Sequence, residues 1–259
     1  MNTKIILGTS AARGLEHTPL LLDMAKTGKL MVCSDDLTQR RDALDQIVRG
    51  HVNGVRHDEY NMKRYHGGTV WFVCPGEDFE NDKMRVINDA TETNICNFLD
   101  DLADEYDRRL ALASMGDLAD EKALFVIIDD LKSVIKAIDK WETQGLLKCF
   151  GPGDTDYPAH GIFLIAGVDI ETLGLLGKRR FRLYNCLDHF SVAMLANDEL
   201  TADKKRIVCE FFGERVGGLI SNGVPTQNGG FLIDFINHPL PFNFYRASQK
   251  LKFQPQKPE

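Results

Sequence analysis

The sequence predicts an α/β fold with a mostly parallel central sheet, helices on both faces and a C-terminal hairpin. Short continuous apolar runs, of which LFVIIDD at 124–130 is the clearest, alternate with segments whose apolar residues recur at helical spacing. A chain of 259 residues buries more than about two thirds of its unfolded surface, so cross-links are not needed. We therefore expect one domain over 1–259, with any ligand at the carboxyl ends of the strands.

In the first half of the chain, two apolar runs predict strands and two periodic segments predict helices. Residues 29–34 form the first buried strand, preceded by a leading segment at 1–28, and 69–75 form the second. An amphipathic helix over 37–50 ends at Gly50. A D-x-x-E capping box, Asp89 with Glu92, starts a helix of about five turns. Its apolar stripe consists of Ile95, Phe98, Leu99, Leu102, Tyr106 and Leu110.

The polar segment 50–68 is bounded by glycines and is predicted to be an exposed insertion. It contains candidate metal ligands, namely His51, His57, Asp58, Glu59 and His66. Their spacing fits no standard metal site, so a loop is the favoured interpretation and no metal is predicted.

The second half of the chain continues the alternation. Residues 161–167 and 181–187 predict the fourth and fifth strands, after the third at LFVIIDD, and Thr201 caps a further helix. VGGLIS at 216–221 and GGFLIDF at 229–235 predict the closing hairpin across a turn-rich segment. Residues 247–259 are expected to form a C-terminal tail.

The composition excludes several classes of protein. Lys and Arg number 31 against 38 Asp and Glu, a net charge of −7, which opposes nucleic acid as the main ligand. Six well-separated cysteines without a C-x-x-C pair suggest neither zinc nor disulfides, and a reduced cytosolic environment. No apolar run reaches the roughly 18 residues of a membrane span, and the start lacks the pattern of a signal peptide.

The strand LFVIIDD ends in Asp129 and Asp130, which have two interpretations. Such acids hold Mg²⁺ and polarise water in P-loop nucleotide hydrolases, whereas an Asp between a strand and a helix also caps the helix. A P-loop requires glycines, a Lys and a Ser or Thr, but no G-x-x-x-x-G-K-[ST] occurs in the chain. The first strand is followed instead by Cys33, Ser34, Asp35, Asp36, Leu37, Thr38, Gln39 and Arg40.

This turn predicts that nucleotide binding is weak or absent. Aligned with the P-loop pattern, it has Cys33 and Thr38 in place of the glycines and Gln39 in place of the Lys. Asp35 and Asp36 add negative charge, and each like-charge contact with a phosphate costs about 1–4 kcal/mol. Arg40 and Arg41 offset part of that cost. No cofactor is therefore expected, and ATP and Mg²⁺ are expected to bind weakly or not at all.

Several segments resemble, in order and spacing, the FtsK/SpoIIIE-type ATPase modules, and specifically the C-terminal module of the type VII secretion membrane ATPase, the EssC/EccC kind. The segments are GLEHTPLLLDMAKTGKLMV, KMRVINDATETNICNFLDDLADEYDRRL, LFVIIDDL, HGIFLIAG and ERVGGLISNGVPTQNGGFLIDF. The match runs nearly end to end and identifies Asp129 and Asp130 as Walker B-like. The departure from the family is residues 33–40, where its Walker A loop is degenerate.

The resemblance implies a RecA-like P-loop NTPase fold in a cytoplasmic domain of a membrane-anchored chain. In that family neighbouring modules of one chain form a hexameric ring that exports helical-hairpin proteins of the WXG100 type, and the last module recognises a substrate signal. A degenerate module suits substrate recognition or regulation, which needs a docking surface rather than hydrolysis. Candidate contacts are the basic run Lys178, Arg179, Arg180 and Arg182, and the aromatic residues Phe242, Phe244 and Tyr245.

Each of these two sets of candidate contacts has a simpler structural interpretation. The basic run is also typical of a solvated turn, and the aromatic residues are more typical of strand packing. Two other functions remain open: an ATPase that uses Asp129 and Asp130 with an unconventional loop or a neighbouring module's arginine, and a DNA-translocase module, which the acidic balance opposes.

Overall fold

The computed structural model describes residues 3–16, 18–53, 69–73, 84–138, 145–147, 149–150, 156–177, 190–195, 200–222, 229–233 and 239–244. Its strands are β1 Lys4–Ser10, β2 Pro19–Asp23, β3 Lys29–Cys33, β4 Thr69–Val73, β5 Met84–Ile87, β6 Leu124–Ile128, β7 Ile162–Val168, β8 Phe190–Leu195, β9 Gly229–Ile233 and β10 Leu240–Phe244. Its α-helices are α1 Met24–Thr27, α2 Leu37–Asn53, α3 Glu92–Met115, α4 Leu131–Ala137, α5 Ile170–Gly177, α6 Ala202–Phe212 and α7 Glu214–Ser221. Short 3₁₀ helices span Asp117–Asp120 and Pro158–His160.

The ten described strands form one sheet in the order β2-β1-β10-β9-β8-β3-β7-β6-β4-β5. Strands β8, β3, β7, β6, β4 and β5 pair in parallel. Strands β9, β10, β1 and β2 extend the sheet beyond β8 through antiparallel pairs. The predicted α/β fold with a mostly parallel sheet is confirmed. Strands β1 and β2, which come from the leading segment at 1–28, were not predicted.

The two faces of the sheet are both covered, which explains why its central strands are continuously apolar. On one face, Leu124, Val126 and Ile128 of β6 belong to the same buried cluster as residues of α3, α4 and α5. Phe125 and Ile127 of the same strand belong to a second cluster with residues of α2. Alternate side chains of one strand therefore enter two different cores.

The start of α3 differs from the predicted capping box. Thr91 is the N-cap, and its side chain accepts a hydrogen bond of 3.3 Å from the Asn94 N–H. Glu92 is consequently the first helical residue, two positions too early to complete a capping box. The predicted apolar stripe is otherwise correct, but Leu110 is 46% exposed and its neighbour Arg109 is buried.

Two predictions of secondary structure were wrong. The first helix continues to Asn53 rather than ending at Gly50, so 50–53 are helical and not part of an insertion. VGGLIS lies in α7 and not in a strand. Helix packing requires a glycine at position 217, because a Cβ on Gly217 would lie 2.5 Å from Cα of Cys209 in α6. The closing hairpin is formed instead by β9 and β10.

Other predicted segments lie wholly or partly outside the described residues. These are the rest of the insertion at 54–68, the strand at 181–187 and the tail at 247–259. Phe190–Leu195, just after the predicted strand at 181–187, is the strand that pairs with β3 on the side away from β7. Within the described part of the chain, no helix is long and apolar enough to cross a membrane.

Candidate functional site

The candidate site lies where β3, β7 and β6 end. Helix α2 follows β3 and packs its Leu44 and Ile47 in one core, whereas α5 follows β7 and packs its Leu173 in the other. Because the two helices leave adjacent strands toward opposite faces, a crevice opens between the strand ends. Open α/β sheets bind their ligands in such a crevice.

The turn between β3 and α2 satisfies its own backbone. Asp36 accepts hydrogen bonds from the N–H groups of Thr38 at 2.9 Å and Gln39 at 3.2 Å, which makes it an N-cap for α2. Ser34 Oγ accepts from the Asp36 N–H and donates to Gln39 Oε1 at 2.5 Å. The amide groups with which a P-loop helix would hold a phosphate are therefore bonded to a carboxylate of the same chain.

Asp129 is buried in an ion pair. Arg40 Nε donates to its Oδ1 at 2.7 Å, and the two side chains are 5% and 0% exposed. Arg41 Nε lies 3.4 Å from the other carboxylate oxygen, with its side chain 33% exposed. Arg40 also donates to the Ser34 carbonyl at 3.1 Å. The carboxylate that would organise Mg²⁺ in a P-loop hydrolase is thus held by two guanidinium groups.

Asp130 has a different position from its neighbour. Its side chain accepts a 2.8 Å hydrogen bond from the Ser133 N–H and caps α4. The two acids at the end of LFVIIDD therefore contact different partners, and only Asp129 faces the arginines.

Gly167 of β7 leaves room for the ion pair. A Cβ at this position would lie 3.0 Å from Asp129 Cγ and 3.2 Å from Arg40 Nε, and closer still to Asp129 Oδ1. Arg40 lies in α2, which follows β3, and Asp129 directly follows β6. Strand β7 lies between β3 and β6, so the contact passes over Gly167. The absence of a side chain there is a condition for the ion pair.

Replacing Gly167 with alanine is expected to lower the free energy of unfolding by about 1–3 kcal/mol, because the added methyl group forces the buried pair apart. Urea denaturation measures the change. Gly218→Ala is the matched control, since a Cβ there meets nothing within 4 Å and alanine favours a helix. A Gly167→Ala variant as stable as the wild type would contradict the described ion pair.

Asp35 reaches across the crevice. Its Oδ1 accepts a hydrogen bond of 3.0 Å from the Ile170 N–H at the start of α5, and its Oδ2 lies 2.7 Å from Lys204 Nζ in α6. The hydrogen bond and charge of Asp35 raise the pKa of Lys204 above its ordinary value. The Asp35 carboxylate therefore joins the turn to both α5 and α6.

Other ionisable groups near the crevice are also held in one state. Burial raises the pKa of the Cys33 thiol, and the charges of Asp35 and Asp169 raise it further. Burial opposes ionisation of Asp169, but hydrogen bonding to Thr172 and the charge of Lys132 outweigh it and keep that pKa below its ordinary value. Cys33 is thus a neutral thiol and Asp169 a carboxylate, which leaves no activated thiol here.

Most of the predicted contact residues are not described, and one that is described is buried. The basic run Lys178 to Arg182, Tyr245 and the side chain of Phe244 lie outside the described residues. Phe242 is 1% exposed, so it packs in the core rather than on a surface. No group of three His, Cys, Asp or Glu among the described residues is placed to hold a metal ion. His57, Asp58, Glu59, His66 and the side chain of His51 are not among them.

Sequence reasoning missed Gly167 and Lys204. A glycine inside an apolar strand is a recognised sign of close approach, so Gly167 carried a usable signal. Lys204 carried none, because its partner Asp35 is far away in the sequence and one Lys in a helix is unremarkable.

The structure resembles solved structures of secretion ATPase domains and of a conjugation coupling protein. The cytoplasmic domain of EssC matches with a TM-score of 0.60 at 6% identity, over 95% of this chain and 44% of that one. Thermomonospora curvata EccC (ATPases 2 and 3), in complex with a signal sequence peptide, matches with a TM-score of 0.58 at 14% identity, over 95% and 41%. The chain has the fold of these ATPase modules. It spans less than half the length of either structure.

A third similar structure is the pCW3 conjugation coupling protein TcpA in its monomer form with ATPγS. It matches with a TM-score of 0.57 at 13% identity, over 95% of this chain and 66% of that one. No family model and no curated protein matches the sequence. At these identities the likeness supports the fold, which is the RecA-like P-loop fold expected from the sequence.

Proposed function

We propose that this chain is a non-hydrolysing ATPase-like module of a type VII secretion motor that acts in substrate recognition or in regulation of export. The observation that carries the proposal is the Arg40–Asp129 ion pair. A P-loop hydrolase needs that carboxylate free for Mg²⁺, whereas here two arginines hold it and one of them is buried with it.

Nucleotide binding would require several favourable contacts to be given up. A phosphate at the start of α2 must displace the Asp36 carboxylate from the Thr38 and Gln39 N–H groups. Mg²⁺ at Asp129 must displace Arg40, whose side chain is only 5% exposed, so a buried charge would lose its partner. No lysine occupies the P-loop position in the turn 33–40 to neutralise the phosphates. These costs favour an empty crevice.

The proposed context comes from the similar structures. The EssC structure is a cytoplasmic domain, EccC is a type VII secretion ATPase, and one EccC structure contains a signal sequence peptide. By analogy we propose a cytoplasmic module of a membrane-anchored chain that packs against neighbouring modules in a hexameric ring. Its proposed partners are secreted helical hairpins of the WXG100 type, with Lys178, Arg179, Arg180 and Arg182 as candidate contacts.

Calorimetric titration of the chain with MgATP and with MgATPγS tests the loss of nucleotide binding. We expect no saturable heat up to millimolar nucleotide and no phosphate release above the blank. A parallel titration with WXG100-type hairpins is expected to give binding.

Asp129→Asn is the control for turnover. If the wild type hydrolyses ATP and this variant does not, Asp129 serves a magnesium site and the chain is an active ATPase. That result, or tight MgATP binding by the wild type, would contradict the proposed function.

A further inference from the structure

We propose that Asp35 is an internal anion that occupies a latent oxyanion site, and that this site takes a phosphate-class anion once the carboxylate is removed. The proposal rests on the proposed loss of nucleotide binding and deepens it. It assigns to Asp35 a position that a ligand oxyanion would otherwise fill.

The first argument is the pair of donors around Asp35. One carboxylate oxygen accepts from the Ile170 N–H at the N-terminus of α5, and the other contacts the Lys204 ammonium. A helix N-terminus combined with an ammonium group is a common arrangement for binding phosphate in proteins. Both donors come from elements distant in the sequence, so they do not form an ordinary local cap.

The second argument is position. Strand β3 pairs in parallel with β7 and with β8, and the turn that follows β3 carries Asp35. Ile170 begins the helix after β7, and Lys204 lies in α6, the first described helix after β8. Asp35 therefore joins the two helices that follow the strands flanking β3, across the crevice where this class of sheet binds ligands.

The third argument is an unused donor in the same turn. Gln39 is only 6% exposed, and its Oε1 accepts from Ser34 Oγ. Its Nε2 group is buried and has no hydrogen-bond partner. A buried amide donor without a partner destabilises the fold, so a donor is available for an acceptor. Gln39 is bonded to Ser34, the residue before Asp35, so this donor belongs to the same turn.

The surrounding charges determine how tightly phosphate is expected to bind. Asp169 stands at the same helix end, where its carboxylate accepts from the Thr172 N–H and lies 3.6 Å from Lys132. This carboxylate repels an incoming anion, as does Asp36. We therefore expect millimolar affinity for inorganic phosphate after removal of Asp35, and none in the wild type.

The test compares thermal unfolding in sodium phosphate and in sodium chloride of equal ionic strength. Asp35→Ala empties the site, and Asp35→Ser removes the charge while keeping a small oxygen acceptor. At ten times its dissociation constant, phosphate raises the folding equilibrium constant about tenfold, which raises Tm by about 3–5 °C for a chain of this size. Asp42→Ala is the matched control, because it removes the same charge at a position within α2.

The proposal is supported if phosphate raises Tm in both Asp35 variants but not in the wild type or in Asp42→Ala. The rise must also be lost in the double variant Asp35→Ala/Lys204→Ala. Equal rises in all variants indicate a general salt effect and overturn it, as does no rise in either Asp35 variant. If neither variant folds in chloride, recovery in phosphate supports it and no recovery overturns it. A response to ADP without a response to phosphate also overturns it.

The two proposals fail in different experiments. Wild-type binding of MgATP contradicts the proposed function. A missing phosphate response in the Asp35 variants contradicts only the assignment of Asp35.

Discussion

Asp129→Ala is expected to destabilise the folded chain by about 3–5 kcal/mol, because it leaves the buried guanidinium of Arg40 without its carboxylate. The loss is larger than that of a surface ion pair, since Arg40 is 4% exposed and cannot reach water without repacking. Urea denaturation followed by circular dichroism measures it. The effect is one of stability and is expected with no nucleotide present.

Asp130→Ala is the matched control for this experiment. That residue caps α4 and contacts none of the arginines that the structure describes, so its loss is expected to cost only about 1 kcal/mol. The double variant Arg40→Met/Asp129→Leu should recover much of the stability lost in Asp129→Ala, because an apolar pair replaces a buried charge pair at little cost. Equal stability of Asp129→Ala and the wild type would contradict a structural role for the ion pair.

Arg109→Met is expected to have an effect of similar size, about 3–5 kcal/mol, at the opposite edge of the sheet. The buried guanidinium donates to Glu105 at 2.6 Å and to the carbonyls of Lys122 at 2.9 Å and His160 at 3.1 Å. These carbonyls precede β6 and β7, so one side chain ties α3 to the starts of two central strands. Removing it leaves these partly buried acceptors without that donor.

Arg108→Met provides the comparison, because Arg108 contacts the same Glu105 from a side chain that is 47% exposed. Its loss is expected to change the free energy of unfolding by less than about 1 kcal/mol. The same urea experiment measures both variants. If the Arg108 variant were the less stable of the two, burial would not be what gives Arg109 its importance.

Strand and helix periodicity was a reliable guide for the centre of the sheet. Residues 124–128 of LFVIIDD and the run at 161–167 are continuously apolar because both faces of the sheet are covered, and they form β6 and most of β7 in the structure. The same reasoning failed at VGGLIS, which was predicted as a hairpin strand but is a helix in which Gly217 permits close packing of α6 and α7. Short apolar segments with glycine do not distinguish the two cases.

The candidate site was predicted only in part. The edge of the sheet and the turn 33–40 follow from the order of strands and helices, and so does the position of Asp129. The sequence predicted that Asp35 and Asp36 would repel phosphate. It did not indicate that each would accept hydrogen bonds from a helix N-terminus, Asp36 at α2 and Asp35 at α5.

The sequence by itself determined the α/β fold and the absence of a P-loop motif, because both depend on local periodicity and on residue types at fixed spacing. The tertiary structure decided what replaced that motif. Arg40 and Asp129 are 89 positions apart, and Asp35 and Ile170 are 135 apart. Parallel strand pairing brings them within hydrogen-bond distance, and a contact between distant residues leaves no periodic pattern in one sequence.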